Sequence, residues 1–206
     1  VVDPGGTDDV DINLEEADFG FASAFGAAAT PNGAVLVGFD PTQGGDQKLR
    51  WAFCTWESLT AGQFSQTTYR TIDMSSLVGS RIHDSHCEVR LAVIRDATGG
   101  LRVVLGTTWK GSSHYHLMGF QALLDDDGMP ATGLSTTTLD YSITSTEELY
   151  ENLQLQQSPA GPLFLSVASN VGALVWSCPI DDRVGTWSGP HLLVEEGFSR
   201  PAGVAY

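Results

Sequence analysis

Short runs of apolar, β-branched and aromatic residues alternate with turns rich in glycine, proline and asparagine along most of the chain. Clear runs are Ala34–Phe39 and Leu101–Thr108, and the turns before them are Pro31-Asn32-Gly33 and Thr98-Gly99-Gly100. Apolar runs of this length, bounded by turn residues, are typical of strands, whereas helices need longer periodic segments. The pattern therefore predicts an all-β protein, and the short turns predict that neighbouring strands are antiparallel.

The order of strands and turns recurs along the chain. The pieces NGAVLVG, GGLRVVLG and AGPLFLSV each combine a turn with a strand. They lie roughly 60 residues apart, a spacing that repeats of four-stranded propeller blades can occupy. We predict antiparallel four-stranded repeats, β-propeller-like, with about three blades, at 19–75, 82–142 and 153–196, and the start of a fourth at 197. A partial fourth repeat would leave an open sheet edge, so we also expect a second chain or domain that completes the sheet.

Two segments depart from this pattern. Residues 1–18 are acidic and poor in aromatic residues, which predicts a solvated arm ahead of a domain at 19–206. The oxygen-rich side chains of the arm make calcium a candidate cofactor, and they belong to Asp8, Asp9, Asp11 and Asn13. The segment Thr144–Leu153 predicts a short surface helix, because Ser145 and Glu148 have the spacing of a capping box.

Charge and composition narrow the range of partners. The formal net charge is −15 and only two residues are lysines, Lys48 and Lys110. Such a charge repels a phosphate backbone, so we expect no nucleic-acid partner. No run of 18 apolar residues occurs, so we expect no membrane insertion. Few lysines, many acids and a surface rich in Thr, Ser and Gly favour a secreted protein. The chain has three cysteines, which allow at most one internal disulfide.

One turn of the chain resembles a turn in known propellers. The stretch Asp182-Arg183-Val184-Gly185-Thr186-Trp187-Ser188 is similar to the Asp-x-Gly-x-Thr-Trp-Ser turns of secreted β-propellers of the lectin and sialidase type, with the glycine one position late. The segment Gly62-Gln63-Phe64-Ser65 matches this turn in part. In those families the turn is structural and lies away from the binding face. The resemblance therefore implies a propeller fold and does not imply an activity.

The tryptophans are candidates for two different roles. Trp51 and Trp176 both follow Leu-x and precede a cysteine, which predicts equivalent core anchors on repeated strands. Trp56 and Trp109 instead lie at predicted strand ends beside Glu57 and Lys110. An exposed indole next to polar side chains can stack on the apolar face of a sugar while the polar groups bind its hydroxyls. Packing in the core is the alternative for these two residues.

The histidines predict a metal site. His114 and His116 lie two residues apart, so they share one face of a strand, and His83 and His86 precede Cys87. Imidazole and thiolate are ligands of zinc and other transition metals, and solvated surface histidines are the alternative. His114-x-His116 with Gln121 also resembles half of a cupin metal motif, but no Pro-x-Gly-x-x-His segment follows it.

These features favour a carbohydrate- or glycoprotein-binding protein of the lectin type, in which aromatic-floored pockets hold sugars. The alternatives are a sialidase-like or other propeller glycoside hydrolase, and a scaffold subunit completed by a partner chain. Hydrolysis needs two acids about 5–9.5 Å apart. The paired acids of this chain lie in turns, where backbone geometry alone favours them, so we lean towards a protein that is not an enzyme.

Overall fold

The structure is a computed structural model that describes residues 24–40, 48–61, 68–79, 85–110, 114–144, 152–169, 172–181 and 183–193. These residues form twelve strands and two short helices, which confirms the all-β prediction. In chain order the elements are β1 (Ala24–Ala29), β2 (Gly33–Asp40), β3 (Lys48–Thr55), α1 (Trp56–Ala61), β4 (Thr68–Asp73), α2 (Ser75–Val78), β5 (Ser85–Arg95), β6 (Leu101–Lys110), β7 (His114–Leu123), β8 (Ser135–Thr144), β9 (Gln154–Gln157), β10 (Leu163–Ser169), β11 (Gly172–Cys178) and β12 (Ser188–Leu192).

The strands form three antiparallel sheets of four strands each. The orders are β1-β2-β3-β4, β5-β6-β7-β8 and β9-β10-β11-β12. Each sheet is thus a meander that follows the chain, as the recurring order of strands and turns predicts. We number the sheets one to three in chain order.

The second sheet lies between the other two. The first strands of the three sheets are neighbours, since β5 contacts both β1 and β9. One cluster of buried side chains joins the first and second sheets, through residues such as Val37, Phe39, Leu105 and Phe120. Two further clusters join the second and third sheets. The sheets therefore pack face to face about adjacent first strands, an arrangement consistent with propeller-like repeats.

The two predicted anchors are buried on opposite faces of their sheets. Trp51 and Trp176 lie on the third strands of their sheets and are 0% and 3% exposed. Trp51 packs in the cluster with the following sheet, whereas Trp176 packs with Leu117 and Leu139 of the preceding one. Their predicted burial is confirmed, but their predicted equivalence is wrong. The residue that matches Trp176 is Phe120, because the two pair with Leu165 and Leu105 respectively and both face the preceding sheet.

Two helical turns interrupt the repeats where the sequence predicts a strand end and loops. Trp56, expected to end a strand, is the first residue of α1. The Thr55 hydroxyl accepts a hydrogen bond from the Ser58 backbone amide at 3.1 Å, which caps the start of that helix. The helix predicted at Thr144–Leu153 does not include its end residues, because Thr144 ends β8 and Asn152 and Leu153 are not helical. Residues 145–151, the acidic arm, the segment Gly62–Ser65 and the predicted fourth repeat from 197 lie outside the described residues.

A hydrogen bond from the first sheet reaches the loop between β7 and β8. The indole Nε1 of Trp51 donates to the Gly128 carbonyl at 2.9 Å, and both groups are buried. Gly128 has φ of +69°, and a Cβ there would overlap the Phe53 ring. The loop therefore depends on glycine at this position for both conformation and space.

A carboxylate fastens the second sheet to the third. Glu88 on β5 accepts hydrogen bonds from the backbone amides of Asn152 and Leu153, each at 2.7 Å. These amides directly precede β9, and Asn152 has φ of +112°, which is unusual for a residue with a side chain. Arg90 lies 3.6 Å from the same carboxylate and its side chain is 43% exposed.

We expect Gly128→Ala to destabilise the protein by about 2–4 kcal/mol, since alanine adds both left-handed strain and a clash with Phe53. Gly133→Ala is the matched control: its φ is +83°, but nothing lies within 4 Å of the position that a Cβ would take. The control should cost about 1–2 kcal/mol. Urea unfolding measures both values, and equal losses would contradict the packing argument.

We expect Glu88→Gln to cost about 1–3 kcal/mol of unfolding free energy, because an amide offers one acceptor oxygen where two backbone amides need acceptors. Arg90→Ala should cost less than about 1 kcal/mol, as an exposed ion pair contributes little. Chemical unfolding of the two variants measures the difference. A Glu88→Gln variant as stable as the wild type would show that water replaces the carboxylate at no cost.

Candidate functional site

A polar cleft lies between the first and second sheets, at the end where their first hairpins turn. Its volume is about 320 Å³. Three chain segments form its walls: the β1–β2 turn, the β5–β6 turn and the loop after β7. The lining residues are Thr30, Pro31, Asn32, Phe53, Arg95, Gly99, Gly100, Leu101, Leu124, Asp125, Asp126 and Gly128. The volume lies at the lower end of the range for small-molecule sites and suits one or two sugar rings.

Hydrogen bonds within each turn hold the cleft walls. The Thr30 hydroxyl oxygen accepts from the backbone amides of Asn32 and Gly33 at 3.2 and 3.0 Å. Asp96 accepts from the Thr98 hydroxyl at 2.6 Å and from the Gly100 amide at 3.1 Å. Thr and Asp are common in such turns because their side chains form hydrogen bonds with the backbone of the turn. The walls are therefore fixed by local sequence.

The electrostatics of the β5–β6 turn follow from the same bonds. The hydrogen bond from the Thr98 hydroxyl lowers the pKa of the Asp96 carboxyl below its ordinary value, and Arg102 contributes to the shift. Arg102 also forms an ion pair with Asp96 at 3.2 Å. Asp96 is therefore an ionised structural residue at neutral pH, and it holds the turn that carries Gly99 and Gly100.

Trp56 lies beside this cleft. Its Nε1 donates to the Thr30 carbonyl at 3.1 Å, and its backbone amide donates to the Asn32 carbonyl at 3.1 Å. The side chain is 42% exposed, so part of the indole remains open to solvent. Glu57, the next residue, is also exposed. This arrangement is compatible with the predicted stacking platform at Trp56, with one ring edge tied to the rim of the cleft.

Trp109 is not an exposed platform, and this prediction is wrong. Its side chain is 0% exposed and meets the Phe39 ring edge-on, with ring centroids 5.8 Å apart. The side chain points towards the first sheet because Trp109 shares a strand face with Val103 and Leu105, which pack in the same cluster. Trp109 and Lys110 also end β6 at the far end of the sheets from Trp56. Lys110 lies over the Tyr115 ring at 5.4 Å from its centroid.

The structure brings together two of the predicted metal ligands. The rings of His114 and His116 on β7 have centroids 6.2 Å apart, and His116 Nδ1 lies 2.9 Å from the Ser142 hydroxyl. His83 lies outside the described residues, and the side chain of His86 is not described. Within the described ranges no group of three His, Cys, Asp or Glu residues could hold a metal. Zinc binding therefore stays a prediction, as does calcium binding by Asp8, Asp9, Asp11 and Asn13, which are not described.

The turn that resembles a propeller turn is structural here. Gly185 has φ of +92° and is buried, and its amide donates to the Cys178 thiol sulfur at 3.1 Å. Burial raises the pKa of the Cys178 thiol, which favours the inert protonated form. The Trp187 amide donates to the Thr138 hydroxyl of the second sheet at 2.7 Å. The turn joins β11 to β12, so it lies at the same end of the sheets as the cleft. In the families that the turn resembles, it lies away from the binding face, so the resemblance does not predict a binding site in this cleft.

The cleft is not apparent from the sequence. Local pattern predicts a strand-surface role for Arg95 and a turn role for Asp125 and Asp126. Asp125 is indeed a turn residue, because its Oδ1 accepts from the amides of Asp127 and Met129 at 3.1 and 2.8 Å. The signal that could have found the cleft lies in the turn residues of corresponding hairpins, since corresponding turns meet at one end of stacked sheets.

No protein-family model matches this chain, and no curated protein matches it in sequence. None of the helices in the described residues is long and apolar enough to cross a bilayer.

If His114 and His116 bind zinc, the purified protein should retain the ion after desalting, and His114→Ala should lose most of it. His191→Ala, a change at an exposed histidine on β12, is the control and should retain the ion. Elemental analysis of the three proteins measures this. Equal zinc content in all three would contradict a site at this pair.

Proposed function

We propose that this protein binds carbohydrate in the cleft between its first and second sheets. The observation that carries the proposal is a fixed polar cleft of about 320 Å³ with the half-exposed indole of Trp56 tied to its rim. Sugar sites combine an apolar surface for the C–H face of the ring with polar groups that bind the hydroxyls. Both components are available within one region.

The polar groups of the cleft suit hydroxyl recognition. Asp126 is exposed and forms no hydrogen bond or ion pair with other described residues, so its carboxylate can accept from two hydroxyls. The side chain of Asn32 offers a carbonyl oxygen that accepts and an NH2 group that donates. The turn glycines have no side chain, so a ligand can approach their backbone. Pro31, Leu101 and Leu124 supply apolar surface.

Binding without cleavage is the better supported activity. Hydrolysis needs one carboxyl that stays protonated and a second that is ionised. Asp125 already accepts hydrogen bonds from two backbone amides of its own loop, and Asp126 is exposed, so both aspartates have the surroundings of ordinary turn residues. The hydrolase alternative, the scaffold alternative and secretion stay predictions, and a glycan screen separates hydrolysis from binding.

We expect a glycan array to capture the protein and Trp56→Ala to weaken binding about tenfold or more, because stacking on an aromatic ring is lost. Asp126→Asn should weaken it by a similar factor through lost charge-assisted hydrogen bonds. Phe25→Ala is the control, as it removes an aromatic ring that is 49% exposed and lies near the start of β1, at the end of that strand away from the cleft.

Isothermal titration with the best glycan measures the affinities, and thermal unfolding checks that the variants fold. Binding unchanged in both Trp56→Ala and Asp126→Asn would overturn the proposed site. Recovery of shortened glycans would favour the hydrolase alternative.

A further inference from the structure

The cleft holds charges of opposite sign that do not pair with each other. Arg95 lines one wall, and Asp125 and Asp126 line another. Within the described part of the chain, no carboxylate forms an ion pair with Arg95. A cation and two anions in a cleft of about 320 Å³ would normally attract each other. Their separation leaves each one able to bind a ligand group.

The guanidinium of Arg95 is positioned by its own turn. Its Nη1 donates to the Gly99 carbonyl at 2.8 Å, and Asp96 holds that turn through the Thr98 and Gly100 amides. One hydrogen bond through Nη1 leaves the Nε and Nη2 edge of the fork, which matches the two oxygens of a carboxylate. A guanidinium fixed in this way loses little conformational freedom when it binds.

The opposite wall is an acceptor surface. Asp125 uses Oδ1 for the backbone amides of its own loop, and Asp126 has no such bond. Ionised carboxylates accept hydrogen bonds from hydroxyls but repel a second carboxylate. A ligand that spans the cleft therefore needs an anionic group towards Arg95 and hydroxyl donors towards the aspartates.

We infer that the cleft prefers sugars that carry a ring carboxylate, of the hexuronate class. This inference rests on the proposed function and specifies its ligand. A hexuronate has one carboxylate at C6 and vicinal hydroxyls on the far side of the ring, so it meets both walls at once. The net charge of −15 repels long polyanions, so the ligand is a short or sparsely charged glycan.

The probe is a pair of disaccharides that differ only at the carboxyl groups: digalacturonate and α-1,4-galactobiose. In isothermal titration, the wild-type protein should bind digalacturonate about tenfold or more tightly than α-1,4-galactobiose. This is the factor expected for a hydrogen-bonded charge pair. Arg95→Gln should remove this preference, so that its affinities for the two disaccharides agree within about twofold. Arg183→Gln is the matched control, since that arginine is exposed and outside the cleft lining, and it should keep the preference.

Equal affinities for the two disaccharides in the wild-type protein, or a preference that survives in Arg95→Gln, would overturn the inference. If the glycan array captures only neutral glycans and digalacturonate does not bind, the inference fails while carbohydrate binding stands. If no glycan of any kind binds, both proposals fail. Thermal unfolding of each variant ensures that a lost preference is not a lost fold.

Discussion

Burial of both faces of the second sheet is the constraint on which the rest of the structure depends. A strand alternates its side chains between two faces, so a sheet with apolar residues on both faces must be covered twice. On β6, Val103 and Leu105 pack with the first sheet while Val104 packs with the third, and all three are 0% exposed. Gly106 leaves room for Leu165 of the third sheet at the same level. This double coverage sets the positions of the outer sheets.

Polar contacts then fix the outer sheets against the middle one. Trp51 reaches from the first sheet to the Gly128 carbonyl, and Glu88 reaches from the second sheet to the amides before β9. The Gly128 carbonyl would otherwise be buried without a partner, whereas the amides that Glu88 accepts from are exposed at Asn152 and partly buried at Leu153. Hydrophobic burial is non-directional, so these directional bonds are what select one relative placement of the sheets.

The cleft is a consequence of this stacking. Corresponding hairpins turn at the same end of neighbouring sheets, and the turn of the second sheet carries Arg95 to face the first. The turns are rigid because Thr30 and Asp96 bond their own backbones. A binding site placed on short, internally bonded turns needs little ordering when a ligand enters, which lowers the entropic cost of binding.

Local sequence accounts for the strands, the turns and their repetition, because these depend on intrinsic propensity and on turn-forming segments such as Pro31-Asn32-Gly33. It also accounts for the burial of Trp51 and Trp176, whose places on apolar strands are visible in the chain. Propensity and alternation are properties of neighbouring residues, so they can be predicted without knowledge of the rest of the molecule.

Contacts between distant parts of the chain account for the rest. They place Trp51 and Trp176 on opposite faces of their sheets, make Phe120 the counterpart of Trp176, and bury Trp109 against Phe39. Alternation along a strand shows which side chains share a face, but the sheet that covers this face is chosen by residues far away in sequence. The placement of Arg95 and two aspartates on different walls of one cleft has the same origin, so no pattern of neighbouring residues could predict it.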